Sequence, residues 1–332
     1  MLGRLHPIHA RRRNMFAPLF FLLCLFLTLP HSARGAGSNL SVSMQVSHTK
    51  STLMSIQFRT PQNGWAVGAG GTILKTTDGG KKWRRMRSGT SILLTSVFFA
   101  DTSKGWATGA GGTLKYTTDG GESWISQSLE TQQPLYGIYF TSPKSGWVVG
   151  GGGTILHTED GGEHWTEQTS GTVAALYAAH FINDRKGAIA GALGTVLSTD
   201  DGGTTWTLQE TRSAATLFDV FFTDSTIGWA VGNAGAMFQT TDGGTTWVDQ
   251  TLPCGKTCRR LTDLLKVRFT NPQEGWIVGE RGMLYRTTDA GLTWSDGQSI
   301  ATTSLFGLSF SDATHGWASG ENGAILHLQL SR

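Results

Sequence analysis

The 332-residue chain lacks the patterns from which most catalytic and metal centres are built. Six histidines follow residue 36, each in a different sequence context, and no two of them have metal-ligand spacing. The chain also has no Gly-x-Ser-x-Gly elbow and no phosphate-binding loop. The sequence therefore predicts no catalytic residue, no metal site and no cofactor.

Charged residues are scarce, and the small basic excess is confined to the start of the chain. The whole sequence has 27 Lys and Arg against 24 Asp and Glu, a net charge of +3. Five of the arginines lie in the first 36 residues, so the remainder has 22 basic and 24 acidic residues, or −2. A net acidic remainder gives no support to nucleic-acid binding.

Long apolar runs are absent except for residues 16–29. This stretch is short for a membrane span, which needs about 20 residues, and it follows an arginine-rich start. We therefore predict a signal peptide over residues 1–36, cleaved near residues 33–35, with residues 37–332 as one domain. An uncleaved membrane anchor is the alternative interpretation.

What the sequence does have is tryptophan at two positions of a unit that occurs seven times. The glycine that opens the unit recurs at steps of 41 residues, with one step of 47. Six tryptophans follow this glycine: Trp65, Trp106, Trp147, Trp229, Trp276 and Trp317. The other six close a Thr-x-Asp-x-Gly-x-x-Trp run, the Asp box: Trp83, Trp124, Trp165, Trp206, Trp247 and Trp294.

The repeat predicts β-structure. Each unit has a phenylalanine in constant register and a small or apolar residue two positions earlier, as Ile56 and Phe58 show. A spacing of two places both side chains on one face of a strand, and a period near 40 residues is typical of propeller blades. Each unit has several glycines and no helical periodicity, which excludes helical repeats. We predict an all-β, seven-bladed β-propeller with four antiparallel strands per blade.

The last blade lacks its own fourth strand, because the seventh unit ends before an Asp box. Residues 42–52 match the register of residues 84–94, which follow the first Asp box. We therefore predict that residues around 41–47 supply the outer strand of the last blade and close the ring. Such closure removes two exposed sheet edges.

The Asp boxes are interpreted as structural. An aspartate in such a turn accepts hydrogen bonds from backbone N–H groups of its own turn. Metal or sugar binding is the alternative, but six similar copies spread around a ring do not converge on one point. The aspartates concerned are Asp78, Asp119, Asp160, Asp201, Asp242 and Asp289.

The repeats differ most in blades five to seven. The loops between second and third strands share a face with the linkers between blades, and only the last three loops are polar or charged. The insertion between blades five and six emerges on that face and contains Cys254 and Cys258, for which an oxidising compartment predicts a disulfide. A partner-binding site is the hypothesis and ordinary solvated loops the alternative. The residues of the hypothesised partner-binding site are Arg259, Arg260, Glu280, Arg281, Glu321 and Asn322.

On each inner strand, the residue between the phenylalanine and the apolar residue two positions earlier also varies from blade to blade. The polar residues at this position are candidates to line the central channel, although His180 is also interpretable as a satisfied core residue. The positions are Gln57, Phe98, Tyr139, His180, Phe221, Arg268 and Ser309.

Units such as GWAVGAGGTILKTTDGGKKW (64–83) and GWVVGGGGTILHTEDGGEHW (146–165) resemble those of the photosystem II stability/assembly factor family and its relatives in non-photosynthetic bacteria. The resemblance implies an exported, monomeric, non-enzymatic scaffold that binds a protein of a membrane or envelope complex. The compartment would be the periplasm, or the thylakoid lumen in a photosynthetic organism, with membrane association possible. The chain departs from the photosynthetic members in its regular late blades, where only Arg259 and Arg260 suggest an arginine-rich patch.

Two other classes share features with this chain. Asp boxes also occur in sialidases and related glycoside hydrolases, but sialidases have six blades and three arginines that hold the substrate carboxylate. Here seven units are counted, and the arginines at 185, 212, 268 and 286 suggest no such triad. A carbohydrate-binding propeller is the remaining alternative.

Overall fold

The computed structural model describes residues 39–251 and 262–331, and seven four-stranded antiparallel sheets form the blades of a β-propeller. The predicted fold class is confirmed. The N-terminal strand is β1 (Asn39–Gln45). Blade one has β2 (Leu53–Phe58), β3 (Gly64–Gly68), β4 (Thr72–Thr76) and β5 (Arg84–Met86). Blade two has β6 (Leu94–Phe99), β7 (Gly105–Gly109), β8 (Leu114–Thr117) and β9 (Ile125–Gln127).

The next blades repeat this order from the inner to the outer strand. Blade three has β10 (Leu135–Phe140), β11 (Gly146–Gly150), β12 (Ile155–Thr158) and β13 (Thr166–Glu167). Blade four has β14 (Leu176–Phe181), β15 (Gly187–Gly191), β16 (Val196–Thr199) and β17 (Thr207–Gln209). Blade five has β18 (Leu217–Phe222), β19 (Gly228–Gly232), β20 (Met237–Thr240) and β21 (Val248–Asp249).

Blades six and seven complete the ring. Blade six has β22 (Leu264–Phe269), β23 (Gly275–Gly279), β24 (Met283–Thr287) and β25 (Gln298–Ser299). Blade seven has β26 (Leu305–Phe310), β27 (His315–Gly320) and β28 (Ile325–Ser331). Single 3-10 turns join second and third strands at Ala69–Gly71, Gly151–Gly153, Asn233–Gly235, Glu280–Gly282 and Glu321–Gly323. No helix in the described part of the chain is long and apolar enough to span a membrane.

The N-terminal strand closes blade seven, as predicted. β1 pairs antiparallel with β28 in an unbroken register that runs from Asn39 opposite Ser331 to Gln45 opposite Ile325. The strand begins and ends two residues earlier than the 41–47 expected from the repeat. Both ends of the described chain therefore lie in one sheet, and closure depends on hydrogen bonds between them.

Stacked aromatic rings hold neighbouring blades together. In six blades the tryptophan of the second strand packs on the phenylalanine of the next blade, while blade four has Ala188 at that position. Trp65 and Phe99, for example, stack with ring centroids 3.6 Å apart. The Asp-box Trp124 meets the same Phe99 edge-on at 5.8 Å. The glycine before each tryptophan leaves room for the phenylalanine of its own blade, because a Cβ on Gly105 would lie 2.6 Å from the Phe99 ring. This packing explains why glycine, tryptophan and phenylalanine keep one register.

A glutamine joins the outer strands of some blades to the next Asp box, a contact that the sequence interpretation missed. Gln168 Nε2 donates to Gly202 O at 3.0 Å, and its Oε1 accepts from Trp206 Nε1 at 3.1 Å. Gln45 makes the equivalent pair of bonds to Gly79 O and Trp83 Nε1, at 2.8 and 3.1 Å. β1 therefore contributes both backbone pairing and a side-chain bond to the closure.

Candidate functional site

The inner strands surround a cavity of about 920 Å³ that runs along the centre of the propeller. All seven variable inner-strand positions predicted from the sequence line it, from Gln57 in blade one to Ser309 in blade seven. Linkers and second-to-third-strand loops lie at one end of this channel, which we call the linker end. Loops between first and second strands lie at the other end, where Arg59 and Thr141 also line the cavity.

The loop residues predicted to bind a partner divide into two groups at the linker end. Glu280 and Glu321 line the channel mouth, where their carboxylates accept hydrogen bonds from the backbone of Asp263 at 3.4 Å and Ser304 at 3.3 Å. Arg281 and Asn322 are exposed at the loop tips. The predicted residues 254, 258, 259 and 260 lie outside the described residues, so their roles stay predictions.

Arg281 and Asn322 occupy an unusual backbone conformation. Both have φ of 56°, in the left-handed region where glycine stands in other blades, such as Gly70 with φ of 64°. Asparagine tolerates this region better than most residues, but an arginine there is strained, at a cost of order 1 kcal/mol. Blade six therefore keeps a charged, exposed side chain at a position where glycine would be easier to accommodate.

Side chains inside the channel satisfy the free edges of the inner strands. Each inner strand pairs on one side only, so some of its backbone N–H groups face the preceding blade's channel residues. Phe58 N donates to Ser309 Oγ at 2.9 Å, and Phe222 N donates to His180 Nδ1 at 3.4 Å. Phe99 N donates to Gln57 Oε1 in the same way. Polar channel residues are thus part of the blade-to-blade contact.

A buried ion cluster joins blades five and six. Asp219, whose side chain is 3% exposed, accepts from Lys266 Nζ at 3.0 Å, Val267 N at 3.0 Å and Arg268 Nη1 at 2.6 Å. Burial opposes ionisation of Asp219, but Arg268 and Lys266 overcome that effect and hold its pKa below the usual range. Burial also lowers the pKa of Lys266, against the attraction of Asp219. The cluster carries two cationic groups and one carboxylate.

Blades three to five line the channel mainly with aromatic rings. Tyr136 and Tyr177 pack with ring centroids 5.1 Å apart, and Tyr177 meets Phe218 at 5.8 Å. Deeper in the channel, His180 lies 4.8 Å from the Tyr139 ring. Burial, together with the nearby Arg268, lowers the pKa of His180 to about 3, so this imidazole is neutral at physiological pH.

The six Asp-box aspartates make the same local bonds in every copy. In the first box Thr76 Oγ1 donates to Asp78 Oδ1 at 2.9 Å, and Lys82 N donates to that oxygen at 2.9 Å. Gly80 N donates to Thr76 Oγ1 at 2.9 Å, which closes the turn. Within residues 39–251 and 262–331, no group of three or more His, Cys, Asp or Glu side chains is placed to hold a metal ion.

Sequence reasoning missed Asp219 and Lys266 as channel residues. Both stand at the third position of their inner strands, where other blades have Ser55, Gly137 or Gly307. An acidic and a basic residue at one repeat position in consecutive blades was the available signal. It would have predicted this ion pair, since that position faces the next blade.

Comparison with known proteins identifies the family. The family model described as photosynthesis system II assembly factor YCF48 matches residues 38–135, 122–210 and 205–300. A structure titled "YCF48 bound to D1 peptide" is 21% identical with a TM-score of 0.72, covering 88% of this chain and 95% of that one. YCF48 from Cyanidioschyzon merolae is 22% identical with a TM-score of 0.72, covering 87% and 99%.

A streptogramin B lyase structure is 14% identical with a TM-score of 0.75, covering 88% of this chain and 98% of that one. At such identities the structural matches show the fold alone, and enzymes share it. No curated protein sequence matches. The family model, however, matches most of the chain, and its repeats are those that build the blades. This chain therefore belongs to the photosynthesis system II assembly factor YCF48 family.

Proposed function

We propose that this protein is a non-enzymatic scaffold that binds a polypeptide segment of a membrane or envelope complex during its assembly. Family membership is the observation that carries the proposal. A related structure is titled as bound to a D1 peptide, which supports a protein segment as the ligand here. Whether the complex is a photosystem or another envelope assembly depends on the organism, and both fit the proposal.

The proposed partner surface is the linker end of blades five to seven. Its contacts are Arg281 and Asn322 at the loop tips, Glu280 and Glu321 at the channel mouth, and the predicted residues 259 and 260. The exposed charge of Arg281 supports this assignment, because Leu193 in the corresponding loop of blade four shares its backbone conformation but carries no charge. Arg281 at the exposed loop tip and the carboxylates of Glu280 and Glu321 at the channel mouth suit a polar peptide segment rather than a purely apolar one.

The direct test is capture of the partner by a tagged protein, crosslinked in cells and identified by mass spectrometry. A variant combining Glu280→Ala, Arg281→Gly, Glu321→Ala and Asn322→Gly should lose the captured complex subunit. It should fold about as stably as the original, because glycine relieves the left-handed strain at two positions and so offsets the loss of the hydrogen bonds that Glu280 and Glu321 accept. The matched control is Leu193→Gly, which changes the corresponding loop tip of blade four, where Leu193 has φ of 57°.

Two results would contradict the proposal. One is undiminished capture by the four-residue variant together with lost capture by Leu193→Gly, which would move the surface to another sector. The other is specific turnover of a fluorogenic glycoside panel by the purified protein, which would favour the hydrolase alternative. Export is part of the proposal, and fractionation of cells should recover the protein from the periplasm or lumen.

A further inference from the structure

The central channel presents hydrogen-bond donors on three side chains whose acceptor atoms each already accept one hydrogen bond. Gln57 Oε1, Ser309 Oγ and His180 Nδ1 each accept a backbone N–H from the next blade. The Gln57 amide nitrogen, the Ser309 hydroxyl hydrogen and His180 Nε2–H have no hydrogen-bond partner among the residues that the structure describes. A neutral imidazole that accepts at Nδ1 has its proton on Nε2. Such a wall favours a ligand that only accepts hydrogen bonds.

The ion cluster adds positive charge to this wall. Asp219 neutralises only one of the two cations beside it, and all three of its hydrogen bonds come from Lys266, Val267 and Arg268. Arg268 uses Nη1 for Asp219 and for its neighbour's carbonyl, so Nε and Nη2 are unpaired within the described part of the chain. The Lys266 and Arg268 side chains remain 22% and 29% exposed, and both line the cavity. Their uncommitted N–H groups suit a carboxylate.

The part of the channel wall beside the ion cluster is aromatic. Tyr136, Tyr177 and Phe218 form one row of rings, while Phe98 and Tyr139 belong to a second row deeper in the channel. Arg268 lies over the Phe221 ring at 5.6 Å, so the charged and aromatic parts adjoin. Sites for small organic ligands combine such apolar walls with a few fixed polar groups, and about 920 Å³ is enough for one.

Charges at the two ends indicate how an anion would enter. Asp263, Glu280 and Glu321 line the linker end and would repel it. Arg59 lines the opposite end, where its guanidinium donates to Ala100 O at 2.9 Å. An anion that enters from the Arg59 end therefore passes one channel-lining arginine before it reaches Arg268, although Asp184 accepts a hydrogen bond from Thr141 at that end.

We propose that the channel binds a small aromatic or other apolar carboxylate, with the carboxylate on Lys266 and Arg268 and the apolar body against the rings of blades three to five. This site lies deeper in the channel than the partner surface, whose Glu280 and Glu321 line the channel mouth, and it goes beyond the scaffold function. Binding there would place a small molecule in the channel beside the Asp219 cluster, which joins blades five and six.

Isothermal titration calorimetry tests the proposal with benzoate, 2-naphthoate and 4-phenylbutyrate, each beside its neutral amide. At least one carboxylate should bind with one-to-one stoichiometry and at least tenfold more tightly than its amide. Arg268→Gln should weaken that binding at least tenfold. Arg84→Gln is the matched control, because Arg84 is an exposed arginine that also pairs with a carboxylate, Glu122, and it should bind as the original does.

Ser309→Ala gives an independent variant should Arg268→Gln fail to fold, since it removes one hydroxyl donor and retains the cluster. It should weaken carboxylate binding two- to fivefold and leave amide binding unchanged. The absence of binding by all three carboxylates would overturn the proposal. So would equal affinity for acid and amide, or an equal loss in Arg84→Gln. None of these results bears on capture of a protein partner.

Discussion

At the scale of single residues, the repeat is explained by which atoms meet between blades. The glycine that opens each second strand lies under the phenylalanine of its own blade, and in every blade but the fifth that ring packs on the tryptophan of the preceding blade. For Gly146, an added Cβ would lie 2.4 Å from the Phe140 ring. Phe140 in turn stacks on Trp106 at 3.8 Å. Glycine, phenylalanine and tryptophan therefore recur in one constant register of the repeat.

Gly146→Ala should lower the free energy of unfolding by about 2 kcal/mol, because the added methyl overpacks a ring that cannot move away. Gly111→Ala is the control: nothing lies within 4 Å of its Cβ position, although its φ is 59°. This control should cost only about 1 kcal/mol for the left-handed backbone. Urea denaturation measures both, and a cost for Gly146→Ala no larger than that of the control would contradict the packing argument.

The Asp boxes predict a loss of stability in acid. The backbone N–H of Thr205 and then its hydroxyl lower the pKa of Asp201 to about 2 from a usual 3.8. A carboxyl whose pKa is depressed by folding stabilises the protein above its unfolded pKa, and that contribution disappears as pH falls through the folded value. Thermal melts should therefore show a falling Tm between about pH 4 and pH 2. Asp201→Asn should reduce that slope, and an unchanged slope would show that this box does not contribute.

At the scale of elements, the short outer strands are held by side chains as well as by pairing. β13 has only two residues, yet Gln168, which follows it, bonds the next Asp box through both ends of its amide. At the corresponding place after the first Asp box the residue is Met86, and there Trp124 Nε1 has no hydrogen-bond partner. The bond thus needs a glutamine at this position, but glutamine alone does not ensure it, because Gln209 donates to Ser198 Oγ instead.

Gln168→Met should cost about 1 kcal/mol of stability, since it removes hydrogen bonds and leaves the Trp206 indole N–H unpaired, as at Trp124. Gln250→Met is a suitable control, because Gln250 holds the same repeat position and its side chain is exposed. Chemical denaturation of both variants should show a loss for the first only. An equal loss of stability in the two variants would contradict the interpretation that Gln168 stabilises the contact between blades.

At the scale of the whole molecule, closure depends on β1. Deleting residues 39–45 should lower the Tm by well over 10 °C. The deletion exposes the edge of β28 and removes the hydrogen bond that Trp83 Nε1 donates to Gln45. Differential scanning calorimetry measures the Tm. The control is a protein that lacks only residues 1–38, and its Tm should be unchanged. If the longer deletion melted like the control, the N-terminal strand would not close the ring.

The sequence was sufficient to predict the blades, their number and the closing strand, because Trp65, Phe99 and their equivalents recur with the period that packing imposes. Asp219 and Lys266 were not predicted as channel residues, although Arg268 was, because Asp219 pairs with residues 47 and 49 positions later, in the next blade. A residue that appears once in seven repeats gives no periodic signal. The sequence also did not show that the partner residues lie on two surfaces. Glu280 and Arg281 are adjacent in sequence, but Glu280 lies at the channel mouth and Arg281 at the exposed loop tip.

The most direct test of the scaffold function compares two loop tips that share one backbone conformation, Arg281 in blade six and Leu193 in blade four. Each is replaced by a photocrosslinking amino acid, and the crosslinked species are identified after irradiation of living cells. The proposed function predicts one dominant adduct between position 281 and a subunit of a membrane or envelope complex, with no such adduct from position 193. Equal adducts from both positions, or none from position 281, would contradict it.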